Sequence, residues 1–358
     1  MTRCYNFCAG PATLPVEVLE QARDELLDYR GSGMSIVESS HRGKEYSAVH
    51  EEAVANIAEL LGLSDDYAVL FLHGGASLQF AMLPMNLLGA GQTADYVHTG
   101  AWAGKAVKEA RKLGTVNLAA DVTGDVPKRI PDASELALTP GAAYVHITSN
   151  ETIEGTQWKD YPACEAPLVA DMSSDILSRP FDMSRFGLVY AGAQKNLGPA
   201  GVALAVMRKD LAERAPASLP TMLRYDTCIQ NNSLYNTPPC FAIYIIMLVT
   251  RWLKGIGLDA MAARNRAKAA KVYAAIDSTD FYRGTAAVDS RSDMNVTFRL
   301  PDEGLEAAFV KEATAAGLKG LKGHRSVGGI RASIYNAMPV EGVDALVAFM
   351  REFERSRG

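Results

Sequence analysis

The sequence predicts an α/β fold: a large unit with a mostly parallel, mixed sheet flanked by helices, followed by a smaller α+β unit. Three observations predict it. Short apolar runs alternate with helix-like segments through the first two thirds of the chain. After Leu258 the texture changes to an alanine-rich, basic helical stretch and then to two strands alternating with two helices. Residues able to carry chemistry fall just after the apolar runs, where open parallel sheets hold their ligands.

Taken in order, the first strand is expected at 67–72 (YAVLFL), followed by the turn HGGAS and a helix from Leu78. A strand at 94–97 leads to the helix-like GKAVKEARKLG, and further strands are expected at 115–118, 143–148, 168–171, 188–191 and 202–207. The apolar stretch FAIYIIMLV, closed by Thr250 and Arg251, is too short to span a bilayer and reads as a buried helix. Beyond it come the helix AARNRAKAAKVYAAI, a strand at 295–300, a helix at 303–316, a strand at 330–335 and a last helix at 340–356. The expected division is a large unit at 16–258 and a small unit of 259–358 joined by an N-terminal arm, 1–15. No Gly- or Ser-rich linker marks the boundary.

With 358 residues and a net charge of -5, the chain has ample length for a core and no basic tail or stripe of the kind that binds nucleic acid. Five cysteines, none in a C-x-x-C pair, read as reduced thiols, neither disulfides nor a zinc site, and no metal is expected. The N-terminus has no apolar leader core, so a cytoplasmic protein that does not associate with membranes is expected.

Lys195 in AGAQKNLGPAG is the first candidate. An amine that forms a Schiff base needs a partly desolvated site and small neighbours; taken alone, a loop lysine is more often a solvated cation. Asp171 ends the apolar run PLVA. A carboxylate there needs a cation or hydrogen bonds, and a helix cap would serve as well. Together the two suit pyridoxal 5'-phosphate, which takes a lysine on its aldehyde and an anion beside its ring nitrogen. Gly74, Gly75, Ala76 and Ser77 could present backbone N–H groups to a phosphate at a helix start, or form no more than a tight connection. Trp102 could stack on a ring or sit in the core, and Thr152 could bond a phenolic oxygen or cap a turn. His41 and Arg42, then His324 and Arg325, make two His-Arg pairs. Arg331 interrupts the apolar GIRASIY and needs an anion.

The segments FCAGPATLP, SHRGKEY, HGGASLQF, SNETIEG, ADMSSDILSRP, YAGAQKNLGPAG, NTPP and KGHRSVGGIRASIYNAMP together resemble the phosphoserine aminotransferase family. These are class V, fold-type I transaminases dependent on pyridoxal phosphate, and the resemblance covers nearly the whole chain. It implies that Lys195 carries the cofactor and moves protons, Asp171 pairs with the ring nitrogen, Trp102 stacks on the ring and Thr152 bonds the phenolic oxygen. Gln194, Ala76 and Ser77 would hold the cofactor phosphate. Asn236 and Thr237 would do so from a second subunit, so a homodimer with shared sites is implied. Arg331 would bind the substrate α-carboxylate, and His41, Arg42, His324 and Arg325 its distal anion. Some members carry an arginine where this chain has Ser77, which shifts anion recognition onto the His-Arg pairs. The implied reaction exchanges O-phospho-L-serine and 2-oxoglutarate for 3-phosphooxypyruvate and L-glutamate, in serine biosynthesis. A phosphorylated four-carbon keto acid of pyridoxine biosynthesis is a second implied substrate.

Three other readings fit these residues less well. A serine–glyoxylate transaminase would not need two His-Arg pairs, since glyoxylate has no distal anion. A cysteine desulfurase needs a catalytic cysteine on a mobile loop, which none of the five suits. A sensor of phosphorylated metabolites would need no Lys195–Asp171 pair.

Overall fold

The computed structural model describes residues 3–358. The chain opens with β1 (Tyr5–Asn6), α1 (Val16–Asp24) and α2 (Lys44–Leu60). The sheet-forming part follows: β2 (Tyr67–Leu72), α3 (Gly75–Leu87), β3 (Thr93–His98), α4 (Ala101–Ala110), β4 (Thr115–Asp121) and β5 (Val145–Thr148). A short hairpin, β6 (Asn150–Glu151) and β7 (Thr156–Gln157), precedes β8 (Leu168–Asp171), β9 (Phe186–Gly192) and β10 (Ala203–Arg208). Helices α5 (Lys209–Ala212), α6 (Tyr225–Gln230), α7 (Cys240–Ile256) and α8 (Leu258–Asp277) come next. The chain closes with β11 (Arg283–Gly284), β12 (Asn295–Arg299), α9 (Glu303–Ala315), β13 (Leu318–Lys319), β14 (Ile330–Ser333) and α10 (Val340–Arg357).

Seven strands form the main sheet in the order β2-β10-β9-β8-β5-β3-β4. Only β10 runs antiparallel to its neighbours, so the sheet is mixed but mostly parallel. Its central strands are apolar on both faces, as a sheet covered on both sides requires. On β8, Leu168 and Ala170 pack with α1, α2 and α7, whereas Val169 packs on the opposite side with α3 and α4. That alternation of period two sends each strand into two cores. The chain moves from β3 out to β4 and then returns to β5 on the other side of β3. The crevice above the strand ends at such a reversal is where open sheets bind ligands.

FAIYIIMLV lies inside α7, and Ile243 to Val249 are all buried. Gly257, at φ +84°, then turns the chain through 89° into α8. No single helix among the described residues is long and apolar enough to cross a membrane.

Most expected and observed strand limits agree within two residues, the usual scatter at element ends. Two differences reach three residues: β4 runs on to Asp121, and α3 begins at Gly75, not Leu78. Gly74 and Gly75 take φ values of +80° and +61°, a conformation glycine reaches without strain, and the helix can therefore start at once.

A second sheet, β11-β12-β14, packs against α8, α9 and α10 around Phe298, Phe309 and Phe353. The N-terminal arm joins this unit: β1 pairs in parallel with β13, and Phe7 accepts a bond from the Ser333 N–H at 3.2 Å.

Where this unit meets the main sheet, the contact is polar. Asn295 on β12 donates to Ser333 Oγ at 2.9 Å and to the Tyr335 hydroxyl at 3.1 Å, and accepts from Asn150 Nδ2 at 2.8 Å. Tyr335 reaches on to the carbonyl of Ala9 in the arm at 2.8 Å. Asn295 is fully buried, and its removal takes one hydrogen-bond partner each from Asn150, Ser333 and Tyr335 where water does not replace it. Asn295→Ala is therefore expected to cost about 2–4 kcal/mol, measured as a lowered midpoint in urea unfolding.

Candidate active site

The candidate residues converge above the carboxyl ends of β2, β3, β5, β8 and β9. A cavity of about 300 Å³ there is lined by Gly74 to Ser77, Trp102, Asp171, Ser173, Gly192 and Ala193, Gln194, Lys195, and Ala200 to Val202. That is a volume in the range of small-molecule sites, roughly 300–1,000 Å³.

Lys195 sits in the turn after β9, its side chain half-buried on the cavity floor. Its Nζ donates to Thr152 Oγ1 at 2.7 Å and lies 4.9 Å from the centre of the Trp102 ring. The arm covers the lysine stem: Ala12 N–H bonds to Gln194 O at 2.9 Å, and a Cβ on Gly10 would stand 3.5 Å from Lys195 Cγ. Burial lowers the amine pKa to about 8, although Asp171 and then Glu151 pull it back up.

Asp171, at the end of β8, is buried. Its Oδ1 accepts from the Ser173 hydroxyl at 2.6 Å and the Ser173 N–H at 2.9 Å, and that hydroxyl in turn accepts from Gly192 N–H at 3.0 Å. Ser173 thus locks the carboxylate to the next strand and leaves Oδ2 for the cavity. Burial pushes the carboxyl above its ordinary value, while Lys195 and Ser173 favour the charged form.

Opposite them, the first helical bond of α3 runs from Leu78 N–H to Gly74 O at 3.3 Å, so the Ala76 and Ser77 N–H groups lie outside the helical ladder. A Cβ on Gly192 would come within 3.5 Å of Ala76 N, and its absence keeps this cup open. The cup, the tryptophan face, the paired aspartate and the depressed lysine fit a phosphorylated aromatic aldehyde piece by piece.

Arg331 on β14 reaches toward the same place and donates from Nη1 to Thr152 O at 3.4 Å. Its Nε is buried without a partner, and burial lowers its pKa, so an anion there would be favourable. Arg331 and His324 also line an adjoining cavity of about 510 Å³ with Lys128, Arg283 and Arg299. His324 is held below its ordinary pKa, by burial first and then by Arg331, Lys105 and Arg325. That end of the site is a field of positive charge. Arg325 itself is exposed.

The remaining candidates gather elsewhere on the chain. Thr237 Oγ1 lies 3.2 Å from His41 Nδ1, and Asn236 Nδ2 lies 3.3 Å from His73 Nε2, with Arg42 exposed nearby in sequence. None of Asn236, Thr237, His41 and Arg42 lines the Lys195 cavity within this chain. Sequence reasoning passed over Ser173, although its place two residues after Asp171 is the spacing of a local side-chain-to-backbone bond. Lys105 was also passed over; its Nζ stands 3.9 Å from the Trp102 ring centre.

Comparison with known proteins points the same way. Residues 4–346 match the family model described as aminotransferase class-V. The chain is 60% identical to the phosphoserine aminotransferase of Desulfatibacillum aliphaticivorans, across 99% of both chains. The solved phosphoserine aminotransferase of Bacillus circulans subsp. alkalophilus superposes with a TM-score of 0.96 at 57% identity, covering 99% of both chains. The pyridoxal-phosphate-bound phosphoserine aminotransferase of Trichomonas vaginalis gives 0.93 at 42% identity, covering 98% of this chain and 100% of that one.

The Lys195 titration has a direction that can be checked. The free amine forms as pH rises through about 8. The rate at which protein stripped of cofactor captures pyridoxal 5'-phosphate covalently should rise with pH and level off above about 8. Asp171→Asn removes the largest influence holding the proton on, so its plateau should begin at lower pH.

Proposed function

The chain belongs to the class-V aminotransferase family, among its phosphoserine aminotransferases, and we infer that it interconverts O-phospho-L-serine and 2-oxoglutarate with 3-phosphooxypyruvate and L-glutamate. The observation that carries this reading is the desolvated Lys195 amine between Asp171, Thr152 and the Trp102 face, with Arg331 and His324 to one side. Pyridoxal 5'-phosphate, when bound, supplies an aldehyde and a ring that accepts the negative charge developing at the substrate α-carbon.

The chain's own residues would do the rest. Lys195, its pKa lowered to about 8, would take the proton from the substrate α-carbon and deliver it to the cofactor's aldehyde carbon, beyond the shared nitrogen. Asp171, fixed by Ser173, would keep the ring nitrogen protonated. Trp102 would hold the ring from one face, Thr152 would bond its phenolic oxygen, and Ala76, Ser77 and Gln194 would cradle its phosphate. Arg331 would grip the α-carboxylate. His324 and Arg325 would meet the distal anion that phosphoserine and glutamate both carry, so one site can serve both half-reactions. With Ser77 where some relatives have arginine, that charge has to come from these pairs.

Asn236, Thr237, His41 and Arg42 would complete the site of a second copy. Their grouping away from Lys195 supports a homodimer with shared sites. The N-terminal arm (1–15) and residues 259–358 would form the small unit beside a large unit of 16–258, which the β1–β13 pairing supports. A role in serine biosynthesis, with a phosphorylated substrate of pyridoxine biosynthesis as a second use, and a cytoplasmic setting accord with this chemistry.

Turnover tests the reading: glutamate formed from 2-oxoglutarate should depend on O-phospho-L-serine, with L-serine a far poorer donor. Lys195→Ala should abolish it without unfolding the protein. Arg331→Ala should lower kcat/KM for both substrates by about 10²-fold or more, the loss expected for a buried carboxylate clamp. Normal turnover by Lys195→Ala would remove the lysine from the chemistry.

A further inference from the structure

Of two glutamates beneath Trp102, only Glu151 enters the scheme above, through its pull on the Lys195 proton. Glu151 ends β6, and Glu154 follows three residues later in the hairpin turn. Glu151 Oε1 accepts from Ala103 N–H at 3.0 Å and from the Thr99 hydroxyl at 3.3 Å, and its Oε2 accepts from Trp102 N–H at 3.2 Å. Glu154 Oε1 accepts from Ala101 N–H at 2.9 Å. Three successive N–H groups in the first turn of α4 therefore end on two carboxyl groups. The two converge: a Cβ on Gly100 would stand 2.5 Å from Glu154 Cδ and 2.8 Å from Glu151 Cδ. Glu154 Oε2 is buried and has no partner among the described residues. The indole Nε1 of Trp102 likewise makes no hydrogen bond, so the place of the ring is set by its backbone and packing.

We propose that Glu151 and Glu154 are a positioning pair that fixes the first turn of α4 and, through it, holds the Trp102 ring over the cavity. The inference rests on the cofactor reading above. Two carboxylates so close in a dry site cannot both ionise, and burial pushes both upward. The proton belongs on Glu154 Oε2, the oxygen with no donor. Glu151 keeps the charge, because it accepts three bonds, two of them from a helix N-terminus. Thr152, the hydrogen-bond partner of Lys195, lies between the two glutamates in the chain, so the same turn registers ring and amine together.

The test is the dissociation constant of pyridoxal 5'-phosphate, read by absorbance as stripped protein is titrated with it. Glu154→Gln copies the protonated acid, accepting from Ala101 and donating to Glu151, and should bind within about twofold of wild type. Glu151→Gln must turn an amide N–H toward a backbone donor and should weaken binding about tenfold. In a Trp102→Ala background, Glu151→Gln should add less than about twofold, because the two changes act through one ring. Equal affinity of Glu151→Gln and wild type, a Glu154→Gln loss as large as that of Glu151→Gln, or effects that multiply with Trp102→Ala would each overturn the pair. If Glu151→Gln does not fold, Glu154→Gln and Glu154→Ala carry the comparison, and equal losses from both would overturn it. Wild-type protein that takes up no cofactor would overturn the cofactor reading and the pair together.

Discussion

The arrangement depends on one cation kept where water is scarce. Lys195 is held at the end of β9 by a turn of small residues, covered by the N-terminal arm and faced by a buried aspartate. Desolvation alone would drive the proton off, and Asp171 alone would fix it on. The balance leaves the amine near pH 8, where it can change state during a reaction. Each neighbouring element either sets that balance or uses it. The parallel strands bring Asp171 and Lys195 to one edge, Ser173 ties the aspartate to β9, and Thr152 takes the amine hydrogen bond.

A second constraint is the polar seam between the main sheet and the C-terminal unit. An apolar contact there could slide, but the bonds among Asn150, Asn295, Ser333, Tyr335 and Ala9 allow one registry. That registry places β14 so that Arg331 reaches Thr152 and the positive end of the site. The arm belongs to the same seam, so the arm segment that covers Lys195 and the strand that carries Arg331 are fixed by one network.

Much of this was legible in the sequence because it is written locally. YAVLFL before HGGAS, and PLVA before Asp171, show a strand, its end and a polar residue at that end. Lys195 and Asp171 were therefore identifiable as neighbours once the sheet was read as parallel. What could not be read lies in pairings across long stretches of chain. The antiparallel setting of β10, the pairing of β1 with β13 and the descent of Glu151 and Glu154 under α4 are decided by tertiary packing, to which local periodicity is blind. The early start of α3 was hidden for another reason: two glycines in left-handed conformations look like a loop in sequence, and here they launch the helix.

The most direct measurement is the visible spectrum of the protein with pyridoxal 5'-phosphate, before and after addition of O-phospho-L-serine or L-serine at equal concentration. The account predicts a yellow band that O-phospho-L-serine removes and L-serine affects far less. This would join the Lys195 amine to a site that demands a distal anion. A protein that forms no such band, or one whose band yields to L-serine as readily as to O-phospho-L-serine, would contradict it.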